Sequence, residues 1–240
     1  MRFADYFDRV RIISLPERTD RRKRVTRELE RIGLPLAGEH VSFFDAIRVT
    51  EAASFPTAGY RGCFLSHATV LREAVRDGVE RLLVLEDDVV FHPQFGDLEA
   101  NSVHRLTQCP WGIALLGYVS DTLPTSPGLH PCPRSTTGTH MYAVARDVLP
   151  RLSAWFDEVP QRTPSHPLGG CMSPDGTLNH FRWANPDVRA LVTWPRLGDQ
   201  SNSPSDLAGR RWFDRVPLFR NISPMLRYGC DVVAGSLKRK

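Results

Sequence analysis

Three carboxylates in a row, Glu86-Asp87-Asp88, follow directly on the apolar run LLVL at residues 82–85. Adjacent carboxylates behind a buried strand raise one another's pKa, and that cost persists until a cation shares the space. A divalent ion removes it. Oxygen-only donors favour Mg2+ or Mn2+, which keep coordination sites for water and substrate phosphates. In an open α/β sheet the carboxyl ends of the strands are also the edge where ligands bind, so the place of the cluster agrees with this chemistry. The alternative is a solvated turn with each carboxylate merely hydrated. A nucleotidyl or phosphoryl transferase would use a similar acidic site, but neither G-x-x-x-x-G-K-[ST] nor G-x-G-x-x-G occurs to cradle phosphates.

The cluster needs a sheet to hold it. Residues 9–15 (RVRIISL) are β-branched and stop at Pro16, which predicts a strand feeding a loop. A helix is expected next, capped by Asp20, with Val25, Leu29 and Ile32 at i, i+4, i+7 and Gly33 ending it. A strand over 41–44, a helix over 62–76 ending at Gly78, and the fully apolar strand 82–85 complete a β-α-β-α-β alternation. That alternation predicts an α/β domain with a largely parallel sheet. Further on, strands are expected over 113–116, 141–145 and 188–192, with a helix over 147–156 that carries Pro150 in its first turn. Two long polar stretches, 120–138 and 160–176, read as functional or disordered loops.

With 240 residues, 41% of them hydrophobic, the chain can bury the core of one domain. No stretch reaches the roughly 18 apolar residues of a membrane span, and the acidic residues in MRFADYFDRVRIISL do not fit a secretory signal. The expected compartment is the cytoplasm. Cys63, Cys109, Cys132, Cys171 and Cys230 show no C-x-x-C spacing, so they are expected to be reduced and structural rather than zinc ligands or disulfides. The net charge of +4 is concentrated at the end of the chain, where residues 209–240 hold eight basic residues against Asp214 and Asp231. Such a tail suits an anionic surface, either the inner face of a membrane or an acidic glycan; a solvated terminus is the alternative. The domain boundary is therefore set between a catalytic part, 1–208, and a basic tail, 209–240.

The string LLVLEDDVVF at residues 82–91 resembles the metal-binding motif of glycosyltransferase family 25, which contains bacterial lipooligosaccharide galactosyltransferases and collagen galactosyltransferases. Other landmarks stand in the same order. ISLPERTDRR (13–22) resembles the family's opening strand and arginine-rich turn, RGCFLSH (61–67) its helix start, and GTHMYAV (138–144) and DQSNSPSDL (199–207) complete the set. The resemblance implies a GT-A-type, Rossmann-like fold, a UDP-sugar donor (usually UDP-galactose), Mn2+ or Mg2+, and inversion at the anomeric carbon. It further implies a glycan or glycolipid acceptor, as in lipopolysaccharide or other surface-glycan synthesis, and no nucleic acid partner.

Residue roles follow from the same resemblance. Glu86 and Asp88 stand in the family's D-x-D register as metal ligands, with Asp88 the first choice; Glu in place of Asp gives position 86 a longer arm, able to reach ribose or a metal-bound water. Asp87 is placed with the donor. Of Arg18, Arg21 and Arg22, where the first strand meets its helix, one is expected on the donor's phosphates or ribose; the alternative is an exposed helix face. His67, Gly138, Thr139 and His140 are assigned to the donor pocket, the small residues letting a sugar approach the backbone. Asp175, in Ser173-Pro174-Asp175-Gly176, resembles the family's Pro-Val-Asp segment and is the candidate general base; Pro-Asp-Gly is equally a turn sequence. Asp206 is expected to order the C-terminal segment or the metal shell. A non-catalytic carbohydrate-binding relative is the alternative outside enzymes.

Overall fold

The apolar runs expected to be strands pair with one another in the computed structural model, which describes residues 1–163 and 165–201. Strands β1 (Arg9–Ser14), β2 (Val41–Asp45), β3 (Arg81–Glu86), β5 (Ile113–Val119), β6 (Gly128–Pro131), β7 (Thr137–Ala145) and β8 (Ala190–Trp194) form one sheet in the order β2-β1-β3-β7-β5-β8-β6. The sheet is mixed and largely parallel, with β7 and β6 running against the other strands. From β1 the chain steps to β2 on one side and then crosses to β3 on the other. The order therefore reverses at β1, and the crevice at such a reversal is where open α/β sheets bind ligands. Ser14 and Glu86 end the two strands that flank it.

Helices cover both faces. Because β-strand side chains alternate, Leu82 and Val84 join one core with Phe64 and Leu71 of α3 (Ala58–Arg76), Phe156 of α5 (Leu149–Glu158) and Phe181 of α6 (Pro174–Ala184). Leu83 and Leu85 join the other, with Phe3 of α1 (Phe3–Tyr6), Val25 and Leu29 of α2 (Thr19–Arg31) and Val103 of α4 (Phe95–Gln108). Each fully buried Leu on β3 contributes roughly 1.5–3 kcal/mol by leaving water, so truncating Leu83 or Val84 would loosen both the sheet and the turn it presents. A small second sheet pairs β4 (Val89–Phe91), which returns from the acidic turn, with β9 (Gly198–Gln200). No helix among the described residues is long and apolar enough to cross a membrane.

Several local expectations are corrected. Asp20 does not cap α2: Arg18 occupies the cap without a side-chain hydrogen bond, and its guanidinium holds both Asp20 oxygens at 3.0 Å. That hydrogen bonding draws the Asp20 pKa down to about 2. The helix does end as expected, with Gly33 at φ 73°. The stretch 120–138 contains β6, and Pro174-Asp175-Gly176 opens helix α6 rather than a turn, Pro174 supplying the preset φ of a first helical position. The strand expected over 188–192 is shifted to Ala190–Trp194. Asp206, Cys230 and the basic tail lie outside the described residues.

Candidate active site

Glu86 is the last residue of β3 and Asp88 the last before β4, so the acidic turn hangs at the carboxyl edge of the sheet. Its three carboxylates meet three different environments. Glu86 Oε1 accepts a hydrogen bond from Thr139 Oγ1 of β7 at 2.5 Å and lies 3.4 Å from Nε2 of the fully buried His67 on α3. Burial pushes the Glu86 pKa up, but His67 and Thr139 outweigh it and hold the group below the ordinary carboxylate value. His67 is held in turn through Nδ1, 3.0 Å from the Tyr142 hydroxyl.

Asp87 points to the other face. Ser14 Oγ donates to its Oδ2 at 2.7 Å and Arg21 Nη1 to its Oδ1 at 3.0 Å, in an ion pair with both side chains nearly buried. Arg24 Nη2 reaches the Asp87 carbonyl at 3.3 Å. Arg21 and Asp87, both expected at the donor, are thus each other's partners, and Arg18 is engaged by Asp20. Arg22 donates to the Ser14 carbonyl at 2.9 Å and to Asp45 at 2.5 Å.

Asp88 is the carboxylate left over. Its Oδ1 is buried with no hydrogen-bond partner. Burial, then the charge of Glu86, push its pKa up to about 7 against the pull of Arg21. Its carbonyl accepts from Ser201 N–H at 2.8 Å, which ties the end of β9 to the turn.

Asp175 sits in the first turn of α6, and its Oδ2 accepts from Gly138 N–H at 3.2 Å. Gly138 has φ 85°, a conformation glycine adopts freely, and the next residue, Thr139, is the one that holds Glu86. The opening of β7 therefore connects the candidate base to the acidic turn. His140 is fully buried, with Nε2 3.2 Å from the Gly198 carbonyl. A carbonyl only accepts, so Nε2 carries the proton and the buried, unpartnered Nδ1 is a bare acceptor. Burial lowers the His140 pKa despite the charge of Glu86. Gly117 makes room for this ring: a Cβ there would stand 2.5 Å from His140 Nε2.

One residue at the site was missed from the sequence. Burial, then the charges of Glu86, Asp175, Asp88 and Asp87, push the Cys63 thiol far above its ordinary pKa, so this side chain feels the field of the carboxylates. Its spacing of four from His67 in RGCFLSH, one turn of the same helix, was the available signal. Cys63, Cys109, Cys132 and Cys171 are free thiols. A cavity of about 240 Å3 lined by Glu80, Arg81, Trp111 and Arg146 lies at the opposite ends of β3 and β7 and takes no part in this arrangement.

The donor set fits a hard divalent cation at Asp88, whose buried Oδ1 has no hydrogen-bond partner. Among the described residues no three His, Cys, Asp or Glu side chains gather around one point, so water and substrate phosphates would complete the shell.

The profile of Glycosyltransferase family 25 (LPS biosynthesis protein) matches residues 7–108, from β1 through the acidic turn to the end of α4. Over that stretch, just under half of its length, the chain is similar to glycosyltransferase family 25. Among its relatives, the Homo sapiens protein named Inactive glycosyltransferase 25 family member 3 is 38% identical over 112 residues, covering 39% of this chain and 18% of that protein. Procollagen galactosyltransferase 2 of Mus musculus is 31% identical over 105 residues, covering 37% and 17%. The chain thus spans less than a fifth of the length of either relative. A crystal structure of a glycosyltransferase involved in the glycosylation of the major capsid of PBCV-1 superposes with a TM-score of 0.50 over 82% of this chain and 94% of that one. At 14% identity, that likeness speaks for the fold.

Proposed function

We propose that this chain is an inverting hexosyltransferase that moves galactose from UDP-galactose to a hydroxyl of a glycan or glycolipid acceptor, using Mn2+ or Mg2+. The observation that carries this reading is the buried, unpartnered Asp88 oxygen at the carboxyl edge of β3, a carboxylate that the fold leaves uncompensated while it compensates both neighbours. Asp88, with Glu86, would hold the cation, which when bound neutralises charge on the departing diphosphate. Asp175 accepts the proton of the acceptor hydroxyl as that oxygen attacks the anomeric carbon from the face opposite the leaving group. The new C–O bond forms as the bond to the diphosphate oxygen breaks, and UDP departs. Gly138 N–H fixes the orientation of the Asp175 carboxylate. His140 Nδ1, a bare acceptor beneath Gly138, suits a hydroxyl of the donor sugar.

A non-catalytic carbohydrate-binding role is the second reading, favoured by the likeness to a relative whose name calls it inactive. One experiment separates them. The protein is incubated with Mn2+ and UDP-galactose, UDP-glucose, UDP-N-acetylglucosamine, ADP-glucose or GDP-mannose, with and without methyl glycosides, and nucleoside diphosphate release is measured. Acceptor-stimulated release of UDP, abolished by EDTA, is expected; no release from any donor favours the second reading.

A further inference from the structure

Helix α6 carries polar side chains on a face that packs against the sheet. Asp175, Asn179 and Arg182 stand at i, i+4 and i+7 and all reach the segment 132–138, which runs antiparallel to the helix as it enters β7. Arg182 Nη2 donates to the Pro133 and Arg134 carbonyls at 3.1 Å and to Asn179 Oδ1 at 2.6 Å. Asn179 Oδ1 accepts from Thr136 N–H at 3.3 Å and Thr136 Oγ1 at 3.2 Å, while its Nδ2 donates to the Thr136 carbonyl at 2.7 Å. Two residues further along the segment, Gly138 N–H meets Asp175.

Burying these groups is costly. Asn179 is 6% exposed, Thr136 5% and Arg182 9%, and no carboxylate pairs with Arg182 among the described residues. An apolar side chain at position 179 would cover the same face without desolvating an amide. Leu178 and Phe181 already anchor the helix in the core. What the polar face adds is register, because an amide that both donates to and accepts from one backbone unit fixes two chains along their length, which apolar contact does not. A slip of one residue along α6 would carry Asp175 about 1.5 Å, enough to break its contact with Gly138.

Resting on Asp175 as the base, we infer that Asn179 is a positioning residue: locked to Thr136 and backed by Arg182, it holds Asp175 against Gly138 and so in register with Glu86, which Thr139 anchors. Misplacing a reacting group by about 1 Å costs on the order of 100-fold in rate.

The test uses amide exchange at Gly138, read by NMR on the full chain, with the Tyr142 and Val144 amides inside β7 as references. Transfer from UDP-galactose with Mn2+ to methyl β-D-glucopyranoside is measured on the same samples, alongside Asp175→Asn. Asn179→Leu is expected to speed exchange at Gly138 about 10-fold or more while the references hold, and to lower kcat about 10- to 100-fold with UDP affinity unchanged. Asn179→Asp keeps the acceptors for Thr136 N–H and Arg182 but sets a carboxylate oxygen against the Thr136 carbonyl, so it is expected not to restore wild-type exchange at Gly138. Unchanged Gly138 exchange in folded Asn179→Leu overturns the inference, whether or not methyl glucoside is accepted. So does kcat within two-fold of wild type while Asp175→Asn is inactive. Loss of melting temperature, UDP affinity and reference protection together would show a merely structural residue and overturn it as well. Transfer surviving in Asp175→Asn sinks the base reading instead. Where Asn179→Leu does not fold, Thr136→Val, which removes only the Oγ1 bond, carries the same readouts.

Discussion

Replacing Asp88 by Asn is expected to stabilise the metal-free protein while removing its response to metal. Burial and the neighbouring Glu86 charge raise the Asp88 pKa from 3.8 to about 7. A carboxyl whose pKa is higher in the fold binds its proton more tightly there. Its stabilising contribution is full below pH 4 and is lost as the pH rises to about 7, where the buried carboxylate ionises. At about 1.4 kcal/mol per pH unit the penalty approaches roughly 4 kcal/mol. The side chain is partly in contact with solvent, which reduces that to about 2–4 kcal/mol. Asn mimics the protonated acid and escapes it. At pH 8 in EDTA the variant should therefore melt about 5–10 °C above wild type, and the difference should vanish near pH 4. Mn2+ with UDP at 1,000 times its Kd should reverse the order, because it adds about 4.1 kcal/mol to the wild type alone. Thermal melts of both proteins across pH, with and without Mn2+ and UDP, measure each quantity. An Asn variant no more stable than wild type at pH 8 in EDTA would refute an uncompensated charge at this position, and with it the argument for a cation.

Asp175→Asn keeps an oxygen to accept from Gly138 N–H, so the fold and UDP affinity should be unchanged while transfer falls about 100- to 10,000-fold; a rate within a few fold of wild type in steady-state kinetics eliminates Asp175 as the base. Gly117→Ala places a methyl 2.5 Å from His140 Nε2 and 2.7 Å from the Gly198 carbonyl, where neither the ring nor the backbone has room to move. Overpacking and loss of the buried His140 hydrogen bond together should cost about 2–5 kcal/mol in urea unfolding, and a loss under about 0.5 kcal/mol would show that the ring and β9 are not packed as described.

Much of the fold was legible because it rests on local signals. The run LLVL marked the central strand, Val25 and Leu29 marked the face of α2, and Gly33 marked its end. What was not legible depends on which segments meet. Helix α6 opens on Ser-Pro-Asp-Gly, a turn signature, and carries Asn179 and Arg182 inward, so its pattern gave no apolar stripe to read. Its partner is the backbone of 132–138, and no sequence period announces a side chain that bonds to a distant peptide group. The partners of the arginines were hidden for a related reason. Arg18 and Arg21 each have a carboxylate within reach, Asp20 two residues away and Asp87 in the turn after β3.

The acidic turn itself shows how far strand geometry alone reaches. Side chains alternate across a strand, so the face that carries Val84 into the core under α3 continues to Glu86, and the face that carries Leu85 toward α2 continues to Asp87. Each carboxylate then meets whatever polar group the covering helix places at that height: His67 from α3, Arg21 from α2. Chain direction reverses immediately afterwards into β4, and Asp88 belongs to neither face. Three adjacent like charges are tolerated because two are compensated by separate layers of the sandwich and the third is left open. The middle residue of the E-D-D string, which has a like charge on either side, is the one most firmly neutralised by protein. An account that treated the three as one metal-binding cluster would assign Asp87 to the ligand; the alternation assigns it to Arg21 and Ser14, and leaves Asp88 as the position where an added cation changes the energy most.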